Sequence, residues 1–457
     1  MGPRAGEAAI TPDCAEACAR FGLFPAPTSG PAQAASPRWD DAATALAERD
    51  PRISLLSGDS GSGKSRFLGA FVRQRLAAGE RVIVADPAPL AAERTRPVIE
   101  CVGQGSVDER LGRLARAGLS EAALLARSPA ELSEGERHRL ALARAVACAA
   151  QPAGTRRAWL VIDECCSVLD RATAQGVAHT LARWVRSDAG EIRLLAAGAH
   201  EDLPRLLGPD CVVRMPTCVI RNGKPARPPR VRIEDGTWDD YASLAHHHYR
   251  AGRPATRERV LCAHRRLPNG STRIAGALVV SRPTLNGAHR QLAWPGRYHG
   301  AAARDEQRAQ AARINRELRC ISRVVVEPAS RGLGIAKRLV EAYLNDPAAP
   351  AAESIASMGA ACPFFERAGM TAYPLLPTPA ALRFGDALAH TGIEPRCACA
   401  PATASALAAY PLIASEAHRW RTSRGRGRPA CTDDAHAIRL ASAALIAPGV
   451  AFAWSAP

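Results

Sequence analysis

The sequence predicts an α/β protein made of two successive units, and three observations carry that prediction. Short apolar runs alternate with segments of helical spacing, the pattern of a mostly parallel sheet with helices on its faces. Residues 58–65 read Gly-Asp-Ser-Gly-Ser-Gly-Lys-Ser and lie between one such run and one such helix. Residues 331–336, Arg-Gly-Leu-Gly-Ile-Ala, repeat that strand–turn–helix context far downstream.

Residues 1–50 are rich in Ala, Pro and Gly and read as a weakly structured lead-in. Ile53–Leu56 is a strand entering the first Gly-rich turn. Ser65 to Ala78 is a helix with Phe67, Leu68, Phe71 and Leu76 toward one side. A strand at Arg81–Asp86, one or two amphipathic helices in Asp108–Arg127 and a long helix at Gly135–Ala149 follow. Trp159–Ile162 is a buried strand, Thr173–Arg186 a helix and Arg193–Ala197 a strand. The Pro- and Arg-rich stretch Pro216–Pro229 marks a boundary. Beyond it a helix begins at Leu244–Tyr249, and Arg259–His264 and Ala275–Ser281 pair around the turn at Pro268-Asn-Gly270. Asp305–Leu318 is a charged helix, Cys320–Val326 a strand, Gly334–Leu344 a helix, Glu353–Ser357 a strand and Pro363–Ala368 a short helix. The divisions expected are therefore 1–50, 51–220, 235–375 and a basic, Ala-rich C-terminal extension over 376–457.

The 457 residues include 60 Lys+Arg against 44 Asp+Glu, a net charge of +16 carried almost entirely by Arg. Part of that basicity reads as the coding bias of a GC-rich genome. The rest would attract polyanions and makes nucleic acid a candidate partner. None of the 14 cysteines forms a paired C-x-x-C pattern, so reduced thiols and a cytoplasmic location are expected. The sequence shows no leader of a basic segment followed by an apolar one, and no stretch approaching 18 uncharged apolar residues, so no membrane span is expected.

The first Gly-rich turn has the form of a phosphate-binding loop. Gly58, Gly61 and Gly63, with Ser60 and Ser62 between them, let backbone N–H groups close around phosphates at a helix N-terminus. Lys64 reaches the β- and γ-phosphates and Ser65 coordinates Mg²⁺. Asp163 and Glu164 end an apolar strand. Asp163 suits the Mg²⁺ shell, and Glu164 is placed to polarise an attacking water. This set predicts binding and hydrolysis of ATP.

With these residues in place, residues 53–214 resemble an ABC-type nucleotide-binding domain. Leu132-Ser-Glu-Gly-Glu136 matches the signature, Ser167-Val-Leu-Asp170 the D-loop, and His200 the switch histidine that contacts the γ-phosphate. The resemblance implies that Ser133 and Gly135 touch the γ-phosphate from a partner subunit, hence a head-to-tail homodimer enclosing two ATPs. Glu134 replaces a usual Gly and Glu136 a usual Gln, and the arm that docks on membrane subunits looks trimmed. Gln104 is the best match to a Q-loop.

Val324-Val-Val-Glu-Pro328 followed by Arg331–Ala336, with Pro363-Phe-Phe-Glu-Arg-Ala-Gly-Met370 after the next strand, resembles a GNAT acetyltransferase over residues 235–375. The resemblance implies that Arg331, Gly332, Gly334, Ile335 and Ala336 wrap the pyrophosphate of acetyl-CoA, and that backbone of Val324 and Val326 pairs with the pantetheine arm. Many members use a Tyr where this chain has Phe365. Tyr343, Glu327, Glu366 and Cys362 are substitutes by position only. His246-His-His248 point to different faces of a helix. The segment Arg282–Arg316 holds Arg290, Trp294, Arg297, Tyr298 and His299, a mixture that suits stacking plus phosphate contact or simply a solvated insertion. Arg426-Gly-Arg-Pro429 resembles the core of an AT-hook.

The whole arrangement resembles a prokaryotic family of ABC-type ATPases fused to a GNAT acetyltransferase domain. Two functions are expected from it. One is ATP-gated transfer from acetyl-CoA to an amine of a nucleic-acid base or protein. The other is a nucleic-acid-associated ABC ATPase whose second unit binds without catalysing.

Overall fold

The computed structural model describes residues 37–119, 121–150, 157–187, 192–226, 229–248, 254, 256–267, 270–298, 304–423 and 433–456. Arg426–Pro429 and His299 lie outside them.

The first unit is a six-stranded sheet. Its strands are β1 (Ile53–Ser57), β2 (Arg81–Val84), β3 (Ala158–Ile162), β4 (Ile192–Gly198), β5 (Cys211–Arg214) and β6 (Val219–Asn222), in the order β2-β3-β4-β1-β5-β6. All pairs are parallel except β5–β6. β1, β3 and β4 are buried almost throughout, as a parallel sheet covered on both faces requires. One face packs α1 (Pro37–Glu48) and α2 (Lys64–Ala77) through Leu46, Phe67 and Phe71. The other packs α4 (Glu134–Ala149) and α5 (Arg171–Ser187) through Leu142, Val177 and Leu181. A smaller apolar cluster lies between α3 (Val107–Arg116) and α4, with Leu114, Leu119 and Leu140 at its centre. Helix α1 falls in the segment expected to be weakly structured. Its Ala42, Ala43 and Leu46 are buried.

The second unit is a seven-stranded sheet in the order β12-β13-β11-β10-β9-β8-β7. Its strands are β7 (Val231–Asp235), β8 (Arg259–Arg266), β9 (Thr272–Ser281), β10 (Leu318–Val326), β11 (Ala351–Ala356), β12 (Thr371–Pro374) and β13 (Val450–Ser455). The β10–β11 pair alone is parallel. Helices α8 (Ile335–Asn345) and α9 (Phe364–Arg367) cover one face. Helices α6 (Trp238–Leu244) and α7 (Arg304–Glu317) cover the other. The helix expected to begin at Leu244 ends there instead. Thr237 and Asp240 cap its start reciprocally, with the Asp240 carboxylate 2.6 Å from the Thr237 N–H.

The described residues beyond 376 join the fold through two features. Helices α10 (Pro379–Ala389), α11 (Pro411–Ser423) and α12 (Asp434–Ile446) enclose a core of their own around Phe384, Leu388 and Trp420. Then β13 enters the sheet between β11 and β12, with Phe452 fully buried.

The two units meet along α5. Gly176 has no side chain, and a Cβ there would lie 2.9 Å from the Ala329 carbonyl. Gly332, at φ +79, rests on Thr180; a Cβ would come within 1.9 Å of its hydroxyl, which is itself held by the Gly176 carbonyl at 2.8 Å. Arg265 of β8 is buried and spans the seam. It donates to the Ala329 carbonyl and Ser330 hydroxyl, both at 2.9 Å, and to the Ala172 carbonyl of α5, also at 2.9 Å. Arg331 reaches Glu121 of the first unit at 2.7 Å.

Two neighbouring glycines therefore respond differently to the same change. Gly334, at φ +76, has nothing within 4 Å of a built Cβ, so Gly334→Ala should cost only the left-handed strain, about 1 kcal/mol. Gly332→Ala adds a clash with a pinned hydroxyl and should cost roughly 2–4 kcal/mol. Thermal unfolding of the two variants measures the difference; equal losses would show that the seam does not depend on this contact.

Candidate functional site

In the first unit three neighbouring parallel strands end at the same edge of the sheet, and each delivers one expected group. After β1 the chain turns through Gly58–Gly63 into α2. Gly61 and Gly63 take φ of +79 and +91, values that favour glycine. Lys64 is buried, and its Nζ donates to the Gly58 and Asp59 carbonyls, both at 2.7 Å. Ser60 and Ser65 are exposed at the rim of the turn, and the Ser62 hydroxyl is buried without a partner. A turn of this shape, with an ammonium that faces no carboxylate among the described residues and an orphaned hydroxyl, fits a nucleotide triphosphate.

After β3, Asp163 accepts the Glu164 N–H at 2.9 Å, and Glu164 sits at φ +46 with its carboxylate exposed. That conformation is strained for a side-chain-bearing residue, and such strain gathers at functional positions. The Ser167 hydroxyl donates to Glu164 at 3.3 Å. After β4, the Ala197 carbonyl takes the Cys165 N–H at 2.7 Å, which locks the Glu164 turn to the strand leading to His200. His200 is exposed. Asp202, two residues on, pairs with Arg171 at the start of α5. Asp163, at the end of β3, and Ser65, in the first turn of α2, carry oxygen donors of the kind that Mg²⁺ takes.

Ser133 and Gly135 stand at the start of α4. Ser133 caps the helix, and Glu136 accepts both its N–H and its hydroxyl at 2.8 Å. Gly135 lies against Leu169 and the Val168 carbonyl, so the signature turn and the residues before α5 form one surface. Gln104 is in an exposed turn whose carbonyl accepts from Arg113.

In the second unit β10 and β11 pair only over Leu318–Cys320 and Ala351–Glu353, then diverge. Ser322 interrupts the register between β10 and β9, where the pairing shifts between Ile321 and Arg323. The β11-facing edge of β10 beyond that point, which includes Val324 and Val326, makes no ladder bonds with β11. It leads to the turn Arg331–Gly334 at the start of α8. Open space at Gly334 and an unpaired strand edge fit an extended carrier ending in a pyrophosphate. Ile335 is buried in the core and Ala336 partly buried. The Arg331 side chain turns to Glu121 and to the Val326 carbonyl at 3.2 Å, so only its backbone faces the turn.

The residues considered as substitutes for a proton donor are scattered. Tyr343 is fully buried and burial pushes its hydroxyl up to about 12. Glu327 pairs with Arg273, Glu366 is exposed, and burial raises the Cys362 thiol. Phe365 stacks on Phe452 with ring centroids 4.9 Å apart. His246 and His247 lie with ring centroids 3.8 Å apart and planes tilted by 44°, and no cluster of three metal-ligating side chains occurs among the described residues.

The basic-aromatic insertion is not a stacking surface. Trp294 and Tyr298 are buried edge to face, and Arg297 pairs with Glu317. Arg290 and His289 are buried on Glu353, at 2.6 and 2.9 Å. Burial works to raise the Glu353 carboxyl, but Arg290 and His289 outweigh it and hold it below its ordinary value. Sequence reading missed this trio because Glu353 lies 63 and 64 positions from the adjacent Arg290 and His289. It also missed Trp39 of α1, whose ring lies 3.1 Å from where a Gly63 Cβ would be, with Arg66 over its face at 5.1 Å.

The Ser133–Glu136 arrangement is testable alone. Glu136→Ala should remove a reciprocal cap and cost about 1 kcal/mol, whereas Glu136→Gln should retain most of it. Unfolding midpoints of the two variants should separate; coincidence would mean that the cap carries no weight here.

No curated protein matches the chain. Among solved structures, it is similar to cbiO1 from Clostridium perfringens, part of the ABC transporter complex cbiONQ, at 17% identity, covering 38% of this chain and 76% of that one, with a TM-score of 0.28. It is also similar to the ATP-binding cassette MJ0796 in a dimeric post-hydrolysis state with ADP and Pi, at 17% identity, covering 39% and 86%, with a TM-score of 0.30. A third is the ADP conformation of MJ1267, an ATP-binding cassette of an ABC transporter, at 19% identity, covering 37% and 78%, with a TM-score of 0.27. Among the described residues no helix is long and apolar enough to cross a membrane. The model of the acetyltransferase (GNAT) domain matches residues 284–373, and the chain carries a domain of that type there.

Proposed function

We propose that this chain is an ABC-type ATPase fused to an acetyl-CoA-dependent N-acetyltransferase, and that ATP binding gates the transfer. The observation that supports it best is the seam. The turn expected to hold the carrier pyrophosphate rests on α5, the helix that begins directly after the D-loop residue Asp170. Lys64 and the N–H groups of its turn would hold the phosphates, Ser65 and Asp163 the Mg²⁺, and Glu164 would orient water, with His200 beside the γ-phosphate. Ser133 and Gly135 would complete the site on a second copy, so the working form is a homodimer. The metal supplies charge neutralisation at the transferred phosphate. In the second unit, backbone of Val324 and Val326 and the turn Gly332–Gly334 would hold acetyl-CoA, which supplies the activated acyl group. The acceptor is an amine of a nucleic-acid base or a protein.

One observation favours a second reading, a nucleic-acid-associated ATPase with a non-catalytic second unit. Phe365 stands where the GNAT resemblance calls for a Tyr, and it is packed into the core between Phe364 and Phe452.

Glu164→Gln keeps Lys64 and the Mg²⁺ ligands but removes the charge that orients water. It should bind ATP, hydrolyse it at least tenfold more slowly and accumulate as a dimer seen by light scattering. A variant that stays monomeric with ATP and Mg²⁺ would sink the shared-site dimer.

For the acyl half, Gly334→Asp places a carboxylate in the open turn at a position where only glycine is unstrained. Calorimetry should show acetyl-CoA binding lost while ATP binding is retained. Binding unchanged from wild type would place the carrier elsewhere.

A further inference from the structure

Two helices of the first unit present glycine faces to the second unit, and both faces end in an arginine. On α5, Gly176 lies under Ala329 and Arg331, and Thr180 lies under Gly332. Arg183 follows Thr180 at i+3 on the same face, about one turn or ~5 Å along the axis. On α3, a Cβ on Gly112 would lie 3.3 Å from the Ala361 carbonyl, and Arg116 follows at i+4 on that face. The chain from Ala361 runs directly into α9, which ends at Arg367.

Three elements that meet at the seam thus carry one guanidinium each, close enough for Arg367 and Arg116 to act on Arg183 by charge. Partial burial and then the charges of Arg367 and Arg116 lower the pKa of Arg183. Cys362 lies among them: burial raises its thiol, and Arg116, Arg331 and Arg367 act against that rise. All three side chains keep solvent access. Among the described residues, none of Arg116, Arg183 and Arg367 makes an ion pair or a side-chain hydrogen bond. The other arginines of the seam are all engaged: Arg331 with Glu121, Arg171 with Asp202, Arg273 with Glu327, and Arg265 with four oxygens. Asp108, two turns before Arg116 on α3, is the acid of that face and pairs with none of them. Uncompensated like charges held together by folding mark a place for an anion.

We propose that Arg116, Arg183 and Arg367 bind the 3′-phosphate of coenzyme A, so that the adenosine end of the acyl donor is held between the two units. The inference rests on the reading that Gly332–Gly334 receives the carrier pyrophosphate. Its position supports a monoester of that ligand over a nucleic-acid strand. Arg183 is one helical turn from the residue on which Gly332 sits, so a phosphate there and a pyrophosphate at the turn lie within one small molecule. Three neighbouring guanidiniums suit a terminal dianion, which offers three free oxygens. A nucleic acid needs a stripe of cations several phosphates long. Because Arg116 and Arg183 belong to the ATPase unit, the donor would be held by both units at once.

The experiment is calorimetry on the full chain with coenzyme A and with 3′-dephospho-coenzyme A. Wild type should bind coenzyme A at least about tenfold more tightly, the scale of one or two charge-assisted hydrogen bonds. Arg116→Gln, Arg183→Gln and Arg367→Gln should each shrink that ratio, and the triple variant should bring it near one, with dephospho-coenzyme A affinity unchanged. The positions are exposed, and unaltered melting temperature and ATP binding would confirm folding. Equal wild-type affinity for the two ligands would overturn the proposal while leaving acyl-CoA binding intact. Binding of neither would overturn the acyl-CoA reading itself. Loss of oligonucleotide binding in the variants, with the ligand ratio untouched, would assign the cluster to nucleic acid and also overturn the proposal.

Discussion

The contact on which the rest of the molecule depends is backbone against backbone, the Ala329–Gly332 turn lying on α5. It exists because two side chains are absent, at Gly176 and Gly332. Close approach of main chains leaves polar groups away from water, and these must be answered. Arg265 answers several of them, taking the Ala329 and Ala172 carbonyls from opposite sides. A buried guanidinium is costly unless its donors are used, and burial lowers its pKa to about 10. The seam is therefore specific as well as tight. A larger residue at either glycine would wedge it, and a shorter one at Arg265 would orphan the carbonyls on both sides.

The same contact fixes how far the candidate carrier turn can rearrange. Gly332 is held from below, while Gly334, two residues on, faces open space at the start of α8. One end of the turn is anchored in the first unit and the other caps a helix of the second sheet. The divergence of β10 from β11 ends in this half-anchored turn, so the strand edge and the turn share one rigid origin.

Much of this was legible in the sequence where the signal is local. A Gly-rich turn between an apolar run and a helix needs only about fifteen consecutive residues, so both turns and their flanking elements were read near their true limits. The start of α6 was misplaced because its signal is a cap, Thr237 with Asp240, and not an apolar stripe. Helix α1 was missed because its core residues are mainly alanines in an Ala-rich background. The strand β13 is an apolar run of six residues whose partners, β11 and β12, lie about eighty or more positions earlier. Nothing local says that it belongs between two strands of a sheet. Arg290 was read as a surface cation because the Glu353 that neutralises it is invisible at that distance in sequence. The seam itself has no sequence signature, since a glycine that admits a neighbouring backbone looks like any other.

Under the proposed function, the seam also limits how ATP could reach the acyl site. Helix α5 is 17 residues long, roughly 25 Å, and is capped at its start by Asp170, whose carboxylate takes the Ala172 and Thr173 N–H groups at 3.0 Å. A displacement of the loop before Asp170 moves α5 as a rod. The glycine contacts have little room to slide, because packed interfaces give way in steps and not continuously. The Arg331–Glu121 pair is different. It bridges from the stretch between α3 and α4 to the carrier turn through a single ion pair at 2.7 Å that is not sealed from solvent. Breaking it frees the Arg331 side chain from Glu121 without disturbing Gly176 or Gly332. The physical warrant for coupling is a two-state element, and breaking this pair would leave the glycine contacts and the Arg265 bonds in place.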